Sequence, residues 1–531
     1  MTIKSFNTAG PCFPSVHYLL PPLERLSEVV ALIDGNYYFV IHSPRQSGKT
    51  TYLNLLTHEI NTKGDYYALY CSLELLDGIH DDYKSMKRLV SSINVALSSS
   101  ELQILNEKAY TYDKLPGMDD ESSMVQVLLN RLCRELDKKL VMFFDEADCL
   151  SYEAPLITFL RQIRRAYNVR LSNPVNKFPH SIVLVGMRDI RDYLFRIRPD
   201  EESRGLASPF NIKKDSLTLN NFTTEEIEAL YLQHTEASGQ VFEKTAIDRA
   251  WYWSEGQPWL VNALAYEVIV NNLKNNFAIP ITALHINNAA ETLIKRRDTH
   301  IDSLLEKLTE PRVIKVMDAV FAGTKSSAPL NDDDRKYCVD LGIVVRNDNQ
   351  SLRPANQIYK EVMSRVITDQ IQYALDDNIA KKQWTDGKVL FVNDLLSSFQ
   401  QFYRKNSESF PKHFKNLVAL KFDEATFSFM LLSYFQKAVN SGATVHREYA
   451  EGRGLVDLVA IYQGREYLIE VKLQENSKLD ESLEQLAGYL ERAGEEEGWL
   501  VIFDPSGKLW NDKLYYDKKI YKNYTIHVFG C

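Results

Sequence analysis

Cysteine is scarce and unpatterned. The 531 residues hold six cysteines (Cys12, Cys71, Cys133, Cys149, Cys338 and Cys531), none in a CxxC pair. Neither a zinc site nor a disulfide framework is indicated, and reduced, mostly buried thiols are expected. A basic surplus is also missing: 62 Lys and Arg against 71 Asp and Glu leave a net charge of −9. That balance excludes a broadly basic nucleic-acid coat and confines any DNA contact to local patches. No apolar run approaches the roughly 20 residues of a membrane span, and a charged-then-apolar leader is absent, so a cytoplasmic protein without a membrane partner is expected. What remains is an ordinary soluble composition, 45% hydrophobic and 25% charged. The length exceeds what one hydrophobic core usually supports, which predicts about two to four domains.

The chain is organised around His42-Ser43-Pro44-Arg45-Gln46-Ser47-Gly48-Lys49-Thr50-Thr51. Ahead of it, Tyr37 to Ile41 is short, aromatic and β-branched, as a buried strand requires; behind it, Leu53, Leu56 and Ile60 recur at helical spacing. Strand, loop and helix in that order make a P-loop. Backbone amides wrap the phosphates of ATP, Lys49 reaches the β/γ oxygens, and Thr50 offers a hydroxyl to Mg²⁺. The pattern has glycine first, and here that position is Ser43, which must make the turn with a Cβ present. The Pro-rich stretch before it, from Phe6 to Pro22, can wall an adenine pocket or simply pack on the first strand.

A second apolar strand, Leu140 to Phe144, ends in Asp145-Glu146. At the carboxyl end of a buried parallel strand, Asp145 suits the Mg²⁺ shell and Glu146 suits a group that orients or deprotonates the attacking water. A third run, Ser181 to Gly186, places Arg188 where a sensor of the γ-phosphate belongs, though a plain surface arginine reads equally well. Arg161, Arg164 and Arg165 read first as a solvated helix face. From about Leu217 short amphipathic helices follow, one opened by Thr223 with Glu225 and Glu226 behind it. Gly256-Gln257-Pro258 then kinks an apolar helical pair. Over roughly residues 1 to 300 the chain resembles the STAND and archaeal-type ATPases of the AAA+ class, on the P-loop, Asp145-Glu146, Arg188 and the GxP element. The resemblance implies a nucleotide-driven switch with a helical lid whose Pro258 lies beside the base.

From Pro311 to about Arg365, helix, helix, strand, polar turn and strand look like a winged helix. Its second helix carries Asp332, Asp333, Asp334 and Asp340. Such acids repel phosphate, so docking to protein is favoured there over DNA.

The carboxyl-terminal third holds a second constellation: Asp457 in Val456-Asp457-Leu458-Val459, a turn at Gln463-Gly464-Arg465, then Glu470-Val471-Lys472. The turn between apolar runs reads as a hairpin, and strand periodicity puts Glu470 and Lys472 on one face, Ile469 and Val471 on the other. Two carboxylates can hold one or two hard cations, and Lys472 can orient or activate water for attack on phosphate. The alternative is a structural Glu470–Lys472 salt bridge. These residues resemble the PD-(D/E)xK nuclease superfamily, with Asp457 as lone acid, Glu470 and Lys472 as the ExK, Glu424 as an added acidic ligand, and Gln485 and Tyr489 as its QxxxY. Val456 replaces the usual proline before the acid.

The expected fold class is α/β: a parallel-sheet P-loop core (1–215), helical lid (216–304), winged helix (305–367), helical connector (368–412) and nuclease-like domain (413–531). The expected function is an ATP-binding and ATP-hydrolysing switch controlling a Mg²⁺-dependent DNA nuclease, as a monomer or homo-oligomer, suited to defence or mobile-element maintenance. The rival is a signalling or scaffolding ATPase with an inert nuclease fold.

Overall fold

The computed structural model describes residues 3–112, 115–150, 153–172, 176–187, 213–296, 306–308, 310–322, 331–347, 351–373, 382–406, 424–439, 442–451, 454–474, 479–504, 506 and 508–531. The chain divides into two compact units, Met1–Lys295 with Asp340–Gly342, and Arg296–Val339 with Ile343–Cys531. Among the described residues no helix is long and apolar enough to cross a membrane.

In the first unit, β1 (Tyr38–His42), β2 (Tyr67–Ser72), β3 (Leu140–Asp145), β4 (Ser181–Gly186) and β5 (Lys213–Thr218) form a sheet in the order β2-β3-β4-β1-β5. Every pairing is parallel. Parallel strands need crossovers and are covered on both faces, which is why these read as continuous apolar runs and not as alternations. Tyr38, Val40, Leu69, Met142, Phe144, Ile182 and Leu184 join one core cluster. It is completed by α2 (Asp82–Ser98), α3 (Met124–Glu135) and α4 (Glu153–Ser172). Phe39, Ile41, Phe143, Val183 and Val185, of the opposite parity, are buried as well. The helix after β1, α1 (Lys49–Lys63), buries Tyr52, Leu53, Leu56 and Ile60.

Helices α5 (Thr224–Ser238), α6 (Lys244–Ser254), α7 (Pro258–Tyr266) and α8 (Ala283–Arg296) follow. A capping box opens α5: the Thr223 hydroxyl accepts from the Glu226 amide while Glu226 accepts from the Thr223 amide. Pro258 starts α7, where a missing N–H does no harm.

The second unit opens with α9 (Pro311–Ala322), α10 (Asp332–Asp340) and the ribbon β6 (Val344–Arg346) with β7 (Leu352–Pro354), then α11 (Gln357–Tyr373) and α12 (Val392–Asn406). Next come α13 (Glu424–Ala438), β8 (Thr444–Glu451), β9 (Gly454–Tyr462), β10 (Arg465–Leu473), α14 (Leu479–Ala493), β11 (Glu497–Phe503), β12 (Tyr515–Tyr521) and β13 (Tyr524–Gly530). The strands form one mixed sheet, β12-β13-β11-β10-β9-β8, in which β10, β11 and β13 run parallel. The hairpin predicted at Gln463-Gly464 joins β9 to β10, with Gln463 at φ 51 and Gly464 at φ 79.

One glycine ties the turn before α7 to the stretch that enters α5. Gly256 has φ +73, its carbonyl accepts from the Phe222 amide at 2.8 Å, and an added Cβ would sit 1.9 Å from the Phe222 carbonyl oxygen. Gly256→Ala should therefore lower unfolding stability by about 2 kcal/mol or more. An unchanged urea midpoint for that variant would remove the tie from the account.

Candidate functional site

The parallel sheet ends in a cleft. Strand β1 stops at His42, and Ser43 turns the chain, its amide donating to the Gly186 carbonyl and its hydroxyl to the Leu219 carbonyl, both at 3.1 Å. The left-handed backbone of the loop falls at Gln46 (φ 58) and Gly48 (φ 87). Serine at the first position is thus tolerated, because glycine's conformational freedom is needed elsewhere. Ser47 ties the loop by donating to the Pro44 carbonyl at 2.9 Å, and Arg45 is exposed. The first amides of α1 have no acceptor within their own helix, so the loop ends in a donor-rich, positive helix terminus. Lys49 folds back over it, Nζ donating to the carbonyls of Ser43 (2.6 Å) and Pro44 (2.7 Å). Burial pushes its pKa down to about 8, against the pull of Asp145 and Asp148.

Asp145 ends β3 almost fully buried. Its Oδ2 accepts from Thr50 Oγ1 (2.8 Å) and from the Tyr70 hydroxyl (2.9 Å), and its Oδ1 accepts from the Glu146 amide (2.9 Å). Glu146 sits at φ 58 and accepts from the Ser72 hydroxyl at 3.0 Å. Burial raises its pKa above the usual carboxylate range; the Ser72 hydrogen bond opposes that, and Asp145, Glu74 and Asp148 add to it. Asp148 accepts from the Met187 amide at 2.7 Å.

Around these groups lies a cavity of about 540 Å³, within the range of small-molecule sites. Gln46, Gly48, Lys49, Thr50, Thr51 and Glu146 line its floor. The segment Asn7–Cys12 lines one wall, fastened by Trp259 Nε1 to the Thr8 carbonyl (2.9 Å) and by the Cys12 amide to Thr51 Oγ1 (3.0 Å). Pro258 and Asn262 come from α7, and Asn262 Oδ1 is buried without a partner. The hard oxygens of Thr50 and Asp145 fit Mg²⁺. Arg188 lies outside the described residues. Tyr70, Ser72 and Asn262 were not singled out from sequence.

The second unit gathers Asp457, Glu470 and Lys472 where β9 meets β10. Lys472 Nζ lies 2.6 Å from Glu470 Oε1 and 4.0 Å from Asp457 Oδ2. Asp457 Oδ2 also accepts from the Val471 amide at 2.7 Å. Glu470 is 1% exposed, and its Oε2 is buried with no hydrogen-bond partner. Burial and the Asp457 charge push its pKa up, while Lys472 pulls it back. Leu483, Leu486 and Leu490 of α14 pack on Leu468 and Leu500 of the same sheet face, and Gln485 Nε2 donates to the Tyr489 hydroxyl at 2.8 Å. Ile469 and Val471 are fully buried on the other face. Glu424 is the first residue of α13, and its side chain lies outside what is described. Among the described residues no group of three or more His, Cys, Asp and Glu side chains is placed to hold a metal.

Residues 21–365 match the family described as the AAA-like domain. This chain belongs to that family. A separate family, described only as a domain of unknown function (DUF8371), matches residues 391–507 of the AAA-like chain. No curated protein matches it. Among solved structures it is similar to the Walker-type ATPase of Pyrococcus abyssi (17% identity, TM-score 0.45, covering 67% of this chain and 99% of that one). It is also similar to the ORC2 protein of Aeropyrum pernix in its ADPNP–ADP complexes (13% identity, TM-score 0.39, 66% and 95%). A third is the RuvB Holliday junction branch migration motor of Thermotoga maritima (15% identity, TM-score 0.33, 64% and 93%).

The geometry of Glu470 makes a stability prediction for the AAA-like protein. In a divalent-free buffer, Lys472→Met removes the cation from a buried carboxylate and should cost about 3 kcal/mol near neutral pH. Because the folded-state pKa of Glu470 lies above its unfolded value, stability falls as pH rises, and it falls further in the variant, whose Glu470 is raised more. The deficit should thus be smaller at pH 5 than at pH 8. Urea titrations at the two pH values measure it, and an equal deficit at both would mean that Lys472 does not neutralise Glu470.

Proposed function

We propose that this AAA-like chain is a cytoplasmic ATP-binding and ATP-hydrolysing switch that controls a Mg²⁺-dependent DNA endonuclease of the PD-(D/E)xK type, serving defence or mobile-element maintenance. The observation that carries the nuclease half is Glu470. A carboxylate kept at 1% exposure with one oxygen unpaired is expensive, and a hard cation shared with Asp457 would satisfy it. The ATPase half rests on the AAA-like family and on Lys49, Thr50, Asp145 and Glu146 converging on one cavity.

In the cleft, the loop amides and Lys49 hold the phosphates, and Glu146 accepts a proton from, or aligns, the attacking water. In the second site, Lys472 aligns or deprotonates the water that attacks the phosphodiester, and Gln485 contacts the substrate strand. Mg²⁺, held by Thr50 and Asp145 in one site and by Asp457 and Glu470 in the other, would neutralise phosphate oxygens as charge develops on them. One observation favours a second reading, a scaffold with an inert nuclease fold: Lys472 lies close enough to both acids to serve as a purely internal counter-charge.

Plasmid cleavage with and without ATP and Mg²⁺ separates the two. Wild type should cut, and Asp457→Ala should abolish cutting while leaving ATP binding intact; a wild type that never cuts under any condition supports the scaffold. Glu146→Gln should bind ATP normally and lower turnover by roughly two orders of magnitude, as expected for losing a general base. Normal turnover in that variant would move the role to another group. A ligand biases an equilibrium only through differential binding, so Lys49→Ala should also change cleavage across an ATP titration. Identical, ATP-insensitive cutting in both proteins would leave two independent activities on one chain.

A further inference from the structure

The nucleotide cleft occupies the carboxyl ends of the parallel strands. A second concavity, of about 460 Å³, opens at their amino ends, roughly 20 Å away by the rise of a six-residue strand. Asn36 comes just before β1, Lys139 just before β3 and His180 just before β4, and all three line it with Lys138, Arg170 and Lys177. Four cationic side chains thus face the space against one acid, Asp137, which is already engaged as acceptor of the Tyr67 hydroxyl at 2.8 Å. In a chain of net charge −9 such a concentration is out of keeping with the average surface.

Some of the polar atoms behind the lysines are unpaired. Arg170 stacks on the rings of Tyr38 and Tyr167 (5.2 and 4.8 Å to the centroids), and its Nη1 donates to the carbonyls of Pro179 (2.6 Å) and His180 (3.2 Å). Its Nη2 is buried with no partner. His180, 8% exposed and stacked on Tyr66, has Nε2 buried without a partner, and Asn36 Oδ1 is buried and unpaired as well; both are acceptors, which suit only a protonated phosphoryl oxygen. Burial, then the charges of Lys139 and Arg170, hold the His180 pKa down to about 4, against the pull of the Ile33 carbonyl and Asp34, so the ring is neutral. A guanidinium fixed by stacking and by two carbonyls, with a donor left over, is preorganised to grip a tetrahedral oxyanion. Unpaired buried polar atoms are otherwise a standing penalty.

We propose that this concavity is a binding site for a small anion bearing a terminal phosphoryl group, separate from the P-loop. Lys138, Lys139 and Lys177 supply charge at the rim, and Arg170 receives the phosphoryl oxygens at the back. A duplex backbone could touch the rim lysines but could not bring a phosphate to the recessed Arg170. An ordered water bridging Arg170, His180 and Asn36 would satisfy the same atoms, and it is the competing account.

The test uses the full chain saturated with Mg²⁺ and a non-hydrolysable ATP analogue, so that the P-loop is filled. Pyrophosphate, inorganic phosphate and a short duplex DNA are titrated separately by calorimetry. Wild type should bind pyrophosphate at one further saturable site, more tightly than phosphate, and lose affinity as ionic strength rises. The double change Lys139→Ala with Lys177→Ala, at exposed positions, should weaken binding at least about tenfold, whereas Lys139→Arg with Lys177→Arg should retain it. Affinity for the ATP analogue should be the same in all three proteins. No saturable binding of pyrophosphate, equal binding by the double-alanine protein, or binding of duplex DNA in place of pyrophosphate would each overturn the proposal.

Discussion

The structure turns on what it takes to keep a carboxylate on a buried strand. Asp145 and Glu470 are each 1% exposed, and an isolated charge at that depth would neutralise or unfold its surroundings. The two are kept by different means. Asp145 is surrounded by neutral donors, Thr50, Tyr70 and the Glu146 amide, whose hydrogen bonds engage both its oxygens. Glu470 has one cation, Lys472, and an oxygen left unsatisfied. The first arrangement is complete without a ligand. The second leaves one buried oxygen unsatisfied.

Strain gathers around the first of these acids and the phosphate loop. Glu146 and Gln46 both adopt the left-handed region that non-glycine residues rarely visit, at φ 58 each. Such backbone persists where neighbours over-determine it and is concentrated at functional sites. At Glu146 the neighbours are the Asp145 side chain and Ser72. At Gln46 the neighbour is Gln257, whose amide donates to the Gln46 carbonyl at 3.3 Å while its oxygen caps α7 by accepting from the Leu260 amide at 2.6 Å. The residue between Gly256 and Pro258 therefore joins the start of α7 to the phosphate loop, and a change in loop conformation must be felt at that helix.

Much of this was legible in the sequence, because periodicity and local order carry it. Leu140 to Phe144 and Ser181 to Gly186 announced themselves as buried strands by being almost wholly apolar, as did Tyr37 to Ile41, although β1 runs one residue later and leaves Tyr37 exposed; the acids and loop residues at their ends followed from position. The hairpin between Asp457 and Glu470 was legible from a glycine-containing turn set between two apolar runs. What stayed hidden depends on register between distant segments. Ser72 stands opposite Asp145 only because β2 pairs with β3 in parallel, and nothing in Tyr67 to Ser72 announces which strand that will be. Strand β5 was missed because Lys213-Lys214-Asp215-Ser216 is polar, a composition an edge strand tolerates and a central one does not.

The concavity at the amino ends of the strands was invisible for a further reason. Its cations come from separate stretches, Lys138 and Lys139 before β3, Arg170 near the end of α4 and Lys177 before β4, and each alone reads as an ordinary surface charge. Parallel topology brings them together. Every strand of such a sheet starts at one edge and ends at the other, so residues that merely precede strands converge just as residues that follow strands do. The carboxyl edge acquires acids and a phosphate loop, while the amino edge here acquires cations. Because the strands between the edges are rigid and fully buried, a charge change at one edge could reach the other only through the placement of whole strands or of the helices packed on them. Arg170 is placed for such a role, since it stacks on Tyr38, the first residue of β1, the strand whose other end carries Ser43 and the phosphate loop.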